Sequence, residues 1–173
     1  MSAQERSTIT LDFGTPDDDV YNGPHSAVLF EGVMARRVVA HILDIVALVL
    51  IAAVLSIPFF IFGILTFGLL FIFYGAFLAA IVLTYITLSL GGESGATPGM
   101  RAMNIELRRL DGRRPTRSLA FLHALFFFAL EAVISPLILL VGLFNRRGRL
   151  VHDFLCGTVM INNAERLDTL LGR

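Results

Sequence analysis

Of the 14 basic residues in the sequence none is a lysine; all are arginines, and Cys156 is its lone cysteine. One cysteine excludes an intramolecular disulfide. Charge is scarce. Of 173 residues, 16% are charged and 55% hydrophobic, a balance that excludes an ordinary soluble domain. No GxxxxGK[ST] loop, no GxSxG elbow and no paired-carboxylate motif occurs, so no enzymatic activity and no cofactor are expected. No cleavable signal is expected either: about 35 polar residues precede the first apolar run, which is too long and too late for a signal h-region. From Arg36 onward arginine dominates, whereas residues 1–34 carry Glu5, Asp12, Asp17, Asp18, Asp19 and Glu31 against Arg6. That segment reads as a mobile acidic tail.

What is present is long hydrophobic runs. Val38 to about Leu65 exceeds the roughly 20 residues that cross a bilayer, and Leu69 to about Leu90 matches them. The connection between them is uncharged, which predicts a tight hairpin. Pro58 should kink the first span or mark its end. Gly63, Gly68 and Gly75 permit close helix approach. Tyr74 and Tyr85 can hydrogen-bond within the bundle or sit at an interface. A short interfacial segment is expected over Ser26 to Met34. Residues 91–117 are polar and hold Arg101, Arg108, Arg109, Arg113, Arg114 and Arg117. Six arginines in one loop place it in the cytoplasm, and Arg36 and Arg37 place the N-terminus on the same side. Topology accounts for these arginines, so no nucleic-acid partner is expected. Met103, Ile105 and Leu107 alternate with polar residues before Asp111-Gly112, a turn signal, and predict a short strand. Thr158 to Asn162 predicts a second, able to pair with the first only if both lie on one side.

Ser118 to Phe144 is a third apolar segment. A single crossing would put Arg146, Arg147 and Arg149 outside; a bend at Ser135-Pro136 would make it re-entrant and keep the C-terminus in the cytoplasm. The expected fold is therefore a membrane all-α protein. It comprises a two-span hairpin, a third bent or re-entrant apolar helix and a small cytoplasmic β element. The membrane domain covers residues 35–162, between the tail of residues 1–34 and a short amphipathic tail of residues 163–173.

Three ionisable residues mark the start of the first span. Taking Arg37 as zero, His41 lies about 40° one way round a helix and Asp44 about 20° the other. Charge on one face of a span must meet protein or water. Two readings stand: a titratable site for a proton or cation, and a buried polar clamp joining the first span to the C-terminal element. Asp153, after His152, is placed to pair with Arg36 or Arg37. Glu131, a carboxylate inside the third segment, needs a partner; His123 is two turns away and roughly 80° round the helix. His41, His152 and Cys156 could form a metal site only without CxxC or HxxxH spacing, so no metal is expected.

These elements resemble the RDD family of prokaryotic membrane proteins, named for one arginine and two aspartates. Arg36, Arg37, Ala40 and Asp44 match its first element. Thr97-Pro98-Gly99 matches the second, with Met100 where a basic residue is usual. His152, Asp153, Gly157, Thr158 and Val159 match the third. The sequence also departs at His123, where an arginine is common. The resemblance implies a multi-pass protein of the bacterial inner membrane. Some members are associated with transport, including sodium–proton exchange; others are domains or partners in larger assemblies. Two functions are therefore expected: an accessory or assembly subunit of a membrane complex, or an oligomeric ion or solute transporter. The expected partners are the lipid bilayer and another membrane protein or a second copy of the chain.

Overall fold

Residues 33–62 contain no glycine and are dominated by leucine, alanine, valine and isoleucine, so nothing interrupts a helix before Pro58. In the computed structural model, which describes Tyr21, residues 26–134, Arg147 and residues 149–171, the result is a single helix α2, Val33–Leu65. A short helix α1, Ser26–Phe30, precedes it, and Gly32 turns the corner between them with φ 67°. Pro58 lies within α2 and does not end it. At 1.5 Å per residue the helix is about 50 Å long, against a hydrocarbon layer of about 30 Å. Counting back from Leu65, that layer is used up at about Asp44. A crossing that began at Leu65 would leave the Arg37 end beyond that layer.

The hairpin turn is built by Thr66, Phe67 and Gly68. Thr66 N–H bonds the Phe62 carbonyl at 3.0 Å, and Phe67 and Gly68 take φ of 51° and 86°. Thr66 Oγ1 then accepts from Leu70 N–H at 3.3 Å. The second span begins as a 3-10 turn, Leu69–Phe73, and becomes the helix α3, Tyr74–Leu90. Of the three glycines expected at close contacts, Gly63 fills the role: a Cβ there would overlap the Phe71 ring, whereas at Gly75 it would meet nothing within 4 Å. Phe59 stacks on Phe77 at 4.4 Å, and Ser56 Oγ lies 3.1 Å from Tyr74 OH. These contacts tie the two helices together near the turn. Two helices, Ala27–Leu65 and Leu69–Leu90, are long and apolar enough to cross a membrane, with mean hydropathies of 3.0 and 2.4.

At the other end of the hairpin a small cap is assembled. It comprises α4 (Pro98–Ala102), β1 (Ile105–Arg109), the apolar helix α5 (Arg117–Ile134), α6 (Val151–Leu155), β2 (Thr158–Asn162) and α7 (Ala164–Leu171). β1 and β2 pair antiparallel, from Ile105 opposite Asn162 to Arg109 opposite Thr158. The first strand starts two residues later than its alternation suggests, because Met103 closes α4 and Asn104 has φ 55°. Asp111-Gly112 does turn the chain, with Asp111 Oδ1 accepting from Arg113 N–H at 2.9 Å, but β1 takes its partner from the far C-terminal strand.

Period-two alternation gives the ribbon two apolar faces. Ile105, Leu107 and Met160 pack with Ala40, Leu90, Met100 and Ala120 beneath the spans. Val159 and Ile161 pack with Tyr21, Leu110, Leu29 and Phe30 on the opposite side. Ile105, Leu107 and Val159 are fully buried, each stabilising the cap by about 1.5–3 kcal/mol. Asn162 Nδ2 donates to the carbonyls of Val28 and Glu31, both at 3.0 Å, which fastens α1 to β2. The bend expected at Ser135-Pro136 and most of the acidic tail lie outside the described residues.

Candidate functional site

The polar face at the start of α2 is divided between two separate clamps. The first is centred on Asp44. Its neighbour α4 begins with Thr97 as N-cap and Pro98 in the first turn, where a missing N–H costs nothing. Thr97 Oγ1 accepts from Met100 N–H at 3.2 Å and donates to Asp44 Oδ2 at 2.5 Å. Gly99 N–H donates to Asp44 Oδ1 at 2.8 Å, and Tyr85 OH, from α3, donates to the same oxygen at 2.7 Å. Asp44 is thus a buried carboxylate with three donors from two other elements. It lies at the N-terminus of α4, where exposed N–H groups favour negative charge. Arg36 works from the opposite end of α4, its Nη1 donating to the Met103 carbonyl at 2.6 Å. Thr97-Pro98-Gly99 is therefore a surface shaped to receive Asp44. Met100, where a basic residue was the expectation, is part of the core.

The second clamp is centred on Asp153. Arg37 Nη1 donates to Asp153 Oδ2 at 2.7 Å, with side-chain exposures of 9% and 0%. Of the two arginines expected to meet Asp153, Arg37 makes the pair. Leu150 N–H donates to the same oxygen at 2.9 Å, so Asp153 also closes the first turn of α6. Its other oxygen, Oδ1, faces two imidazoles: His123 Nε2 at 3.8 Å and His152 Nε2 at 3.7 Å. The two rings meet edge to face, 4.6 Å between centroids. Thr158 Oγ1 lies 3.3 Å from His123 Nδ1. Gly157, at φ 59°, is the left-handed residue that turns α6 into β2.

Burial alone would raise the Asp153 carboxyl, but Arg37 and then the two imidazoles prevail and hold it well below the usual carboxylate range. Burial holds His152 below the ordinary imidazole range against the opposing pull of Asp153. Cys156, on the same turn, is pushed up to about 11 by burial and then by Asp153. A rise from 9.0 to about 11 leaves roughly 100-fold less thiolate at neutral pH, and the thiolate is the reactive form. Maleimide labelling of Cys156 in nanodiscs is therefore expected to run at least ~100-fold slower than in SDS. Its rate should keep climbing with pH beyond 9, where an ordinary thiol levels off. Equal rates in the two media would show that the cap is open.

His41 does not join Arg37 and Asp44. It is exposed on α2, its ring edge-on to Phe127 of α5 at 5.7 Å. The face is shared, as the helical geometry requires, but its three members point to different partners. His123, expected as a partner for Glu131 and as a departure from the family pattern, faces His152 and Asp153; the Glu131 side chain lies outside the described residues. Tyr85, of which hydrogen bonding within the bundle is one expectation, makes its bond to Asp44, a partner that its own position does not announce. Among the described residues, the group of metal-competent side chains is His123, His152 and Asp153, not His41, His152 and Cys156. Between α2, α3 and α5 there is a cavity of about 590 Å³, mainly apolar, whose polar lining includes Arg37, His41, Asp44, Tyr85, His123 and His152. Both clamps border it.

No curated protein and no solved structure matches the chain. The sequence model of the RDD family matches residues 32–157, a stretch that contains α2, α3, α4, β1 and both clamps. With the Arg37–Asp153 pair joining α2 to α6 and Asp44 joining α2 to α3 and α4 inside that stretch, the chain belongs to the RDD family.

Proposed function

We propose that this chain is an accessory or assembly subunit of a larger bacterial inner-membrane complex, with no catalytic step of its own. The observation that carries this reading is the bareness of the hairpin. Within the apolar windows of the two spans, 6% and 0% of residues are buried against the rest of the chain. Val54, Ile57, Ile64 and Ile72 are each more than 60% exposed. Lipid tolerates such a surface, and so does a neighbouring span, which gains packing contacts there. The polar residues are meanwhile engaged with one another at the foot of the hairpin. Under this reading the N-terminus is cytoplasmic. The pairing of β2 with β1, beside the arginine-rich loop, supports a C-terminus on that same side and a third apolar segment that returns instead of crossing.

A second reading, an oligomeric cation–proton exchanger, is favoured by the cavity that brings Arg37, His41, Asp44, His123 and His152 to one space. Two spans enclose no route through a bilayer, so several copies would have to build one. Isolating the tagged protein from its native membrane in mild detergent, with stoichiometry by mass spectrometry, separates the two. A near-equimolar unrelated membrane protein is the expected result. Recovery of the chain alone as a defined oligomer would overturn the subunit reading. Proton-coupled cation flux, with Asp44→Asn as control, would then be the test of exchange.

A further inference from the structure

We propose that His123, His152 and Asp153 bind one divalent transition-metal ion of the zinc class. One ligand atom from each residue lies within 4.8 Å of the others. Asp153 Oδ1 is 3.8 Å from His123 Nε2 and 3.7 Å from His152 Nε2. Ligand atoms bound about 2.1 Å from a zinc ion at tetrahedral to trigonal angles stand roughly 3.4–3.6 Å apart. The two imidazole nitrogens need to close on Asp153 Oδ1 by only a few tenths of an ångström, and on each other, from within 4.8 Å, by about 1 Å. They are too far apart to hydrogen-bond directly, and they converge.

A second observation is the state of Asp153 Oδ1. Asp153 is completely buried, yet this oxygen has no hydrogen-bond partner among the described residues, and neither has His152 Nδ1. A buried carboxylate oxygen without a donor is costly. A bound cation satisfies it directly. The surroundings are those of a supported metal site. His123 is oriented through its other nitrogen by Thr158 Oγ1 at 3.3 Å, and Asp153 through its other oxygen by Arg37 and Leu150 N–H. Such outer contacts fix which ligand atom faces the ion.

The donor set selects the metal. Arg37 offsets the charge of the one carboxylate, so an ion here is held mainly by two neutral imidazoles. That disfavours magnesium and calcium, which need several oxygen ligands, and favours zinc, cobalt or nickel. Three protein ligands leave a fourth position, and both imidazoles line the cavity of about 590 Å³, which has room for water or an exogenous ligand there. The ligands come from α5 and α6, far apart in sequence, which is why no spacing motif announces them.

The test uses the full chain in nanodiscs, purified on a tag without histidine, with Zn²⁺ and Co²⁺ as probes. The expected result is one Zn²⁺ per chain by elemental analysis and visible Co²⁺ bands of a four- or five-coordinate ion that Zn²⁺ abolishes. His123→Ala and His152→Ala should each weaken binding by more than the roughly 10–100-fold typical of an outer-shell change, and Thr158→Val by about that amount. His41→Ala, which changes the cavity but not the ligands, should bind normally. His123→Cys should add a sulfur-to-cobalt charge-transfer band absent from the parent protein, which assigns the position even where an alanine variant fails to fold. Monodisperse parent protein that takes up neither ion at one per chain overturns the proposal. So does undiminished binding by a folded His123→Ala variant. An imidazole pair bridged to Asp153 by water alone predicts the first of those results, and an ion held elsewhere on the chain the second.

Discussion

Asp153→Ala is expected to cost about 3–5 kcal/mol, the range for removing one partner of a buried ion pair. For a domain of this size that is a large share of the whole stability. The cause lies in what remains. The Arg37 side chain is 9% exposed and loses the carboxylate 2.7 Å away. Leu150 N–H loses its acceptor at the start of α6, and two imidazoles are left without the charge between them. Arg37→Ala should cost a similar amount for the mirror-image reason, an uncompensated buried carboxylate. Replacing both, as in Arg37→Met with Asp153→Leu, removes the charges together and should cost less than the sum of the single changes. The difference is the coupling, up to about 3 kcal/mol for residues in direct contact. Charge reversal is a harsher form of the same cycle. Asp153→Arg should restore only part of what Arg37→Asp loses, because an arginine at position 153 also faces the N–H groups of α6. Unfolding in mixed micelles followed by Cys156 accessibility measures all of these. Additive single and double variants would mean that the two residues act separately.

Much of this arrangement was legible in the sequence, and the part that was not has a common cause. Hydropathy gave both long apolar helices, and the hairpin follows from an uncharged connection. The Thr158–Asn162 strand and the approach of Asp153 to an arginine at the start of α2 were also readable, because alternation and intramembrane charge are local signals. The helical wheel placed Arg37, His41 and Asp44 on one face, and they do share it. A wheel is silent on what lies opposite. Asp44 meets Thr97, Gly99 and Tyr85, Arg37 meets Asp153, and His41 meets Phe127. The three line one cavity, but each is held by a different neighbour. His123 was missed for the same reason. Its partners are about 30 residues away on an element whose docking is set by β1 and β2, and no periodicity encodes that distance. The length of α2 also changes the electrostatics. A helix that crossed the hydrocarbon from Leu65 would be through it by about Asp44, and its Arg37 end would then sit at the interface, where charge is far cheaper than at the bilayer centre. That makes a permanent ion pair a reasonable structural fastening there.

Gly99→Ala should be as damaging as the loss of Asp44 itself, although it adds a single methyl group. A Cβ on Gly99 would overlap the Ala40 carbonyl oxygen and come within 2.8 Å of Asp44 Cγ and 2.9 Å of Oδ1. The Ala40 oxygen is backbone inside a helix and cannot step aside, so α4 has to lift off α2. Lifting it breaks the bonds from Thr97 Oγ1 and Gly99 N–H to Asp44 together. Two buried donors without an acceptor cost about 1–3 kcal/mol each, which puts Gly99→Ala at roughly 2–6 kcal/mol; Asp44→Ala, which also takes the acceptor from the half-buried Tyr85 hydroxyl, belongs in the same range or slightly above it. Asp44→Asn is the informative contrast. Its amide keeps an oxygen to accept from Gly99 N–H, and its NH₂ can donate to the hydroxyl of Thr97 or Tyr85, each of which can reverse its role. The clamp should survive with a loss of about 1–2 kcal/mol. An ion-coupling carboxylate has no such tolerance, because an amide does not titrate. Membrane abundance and unfolding midpoints of the three variants therefore bear on function as well as fold. Asp44→Asn close to the parent protein in stability and in complex assembly marks Asp44 as a fastening. Asp44→Asn equal to the parent in stability but inactive in whatever cation flux the protein supports marks it as a carrier of charge.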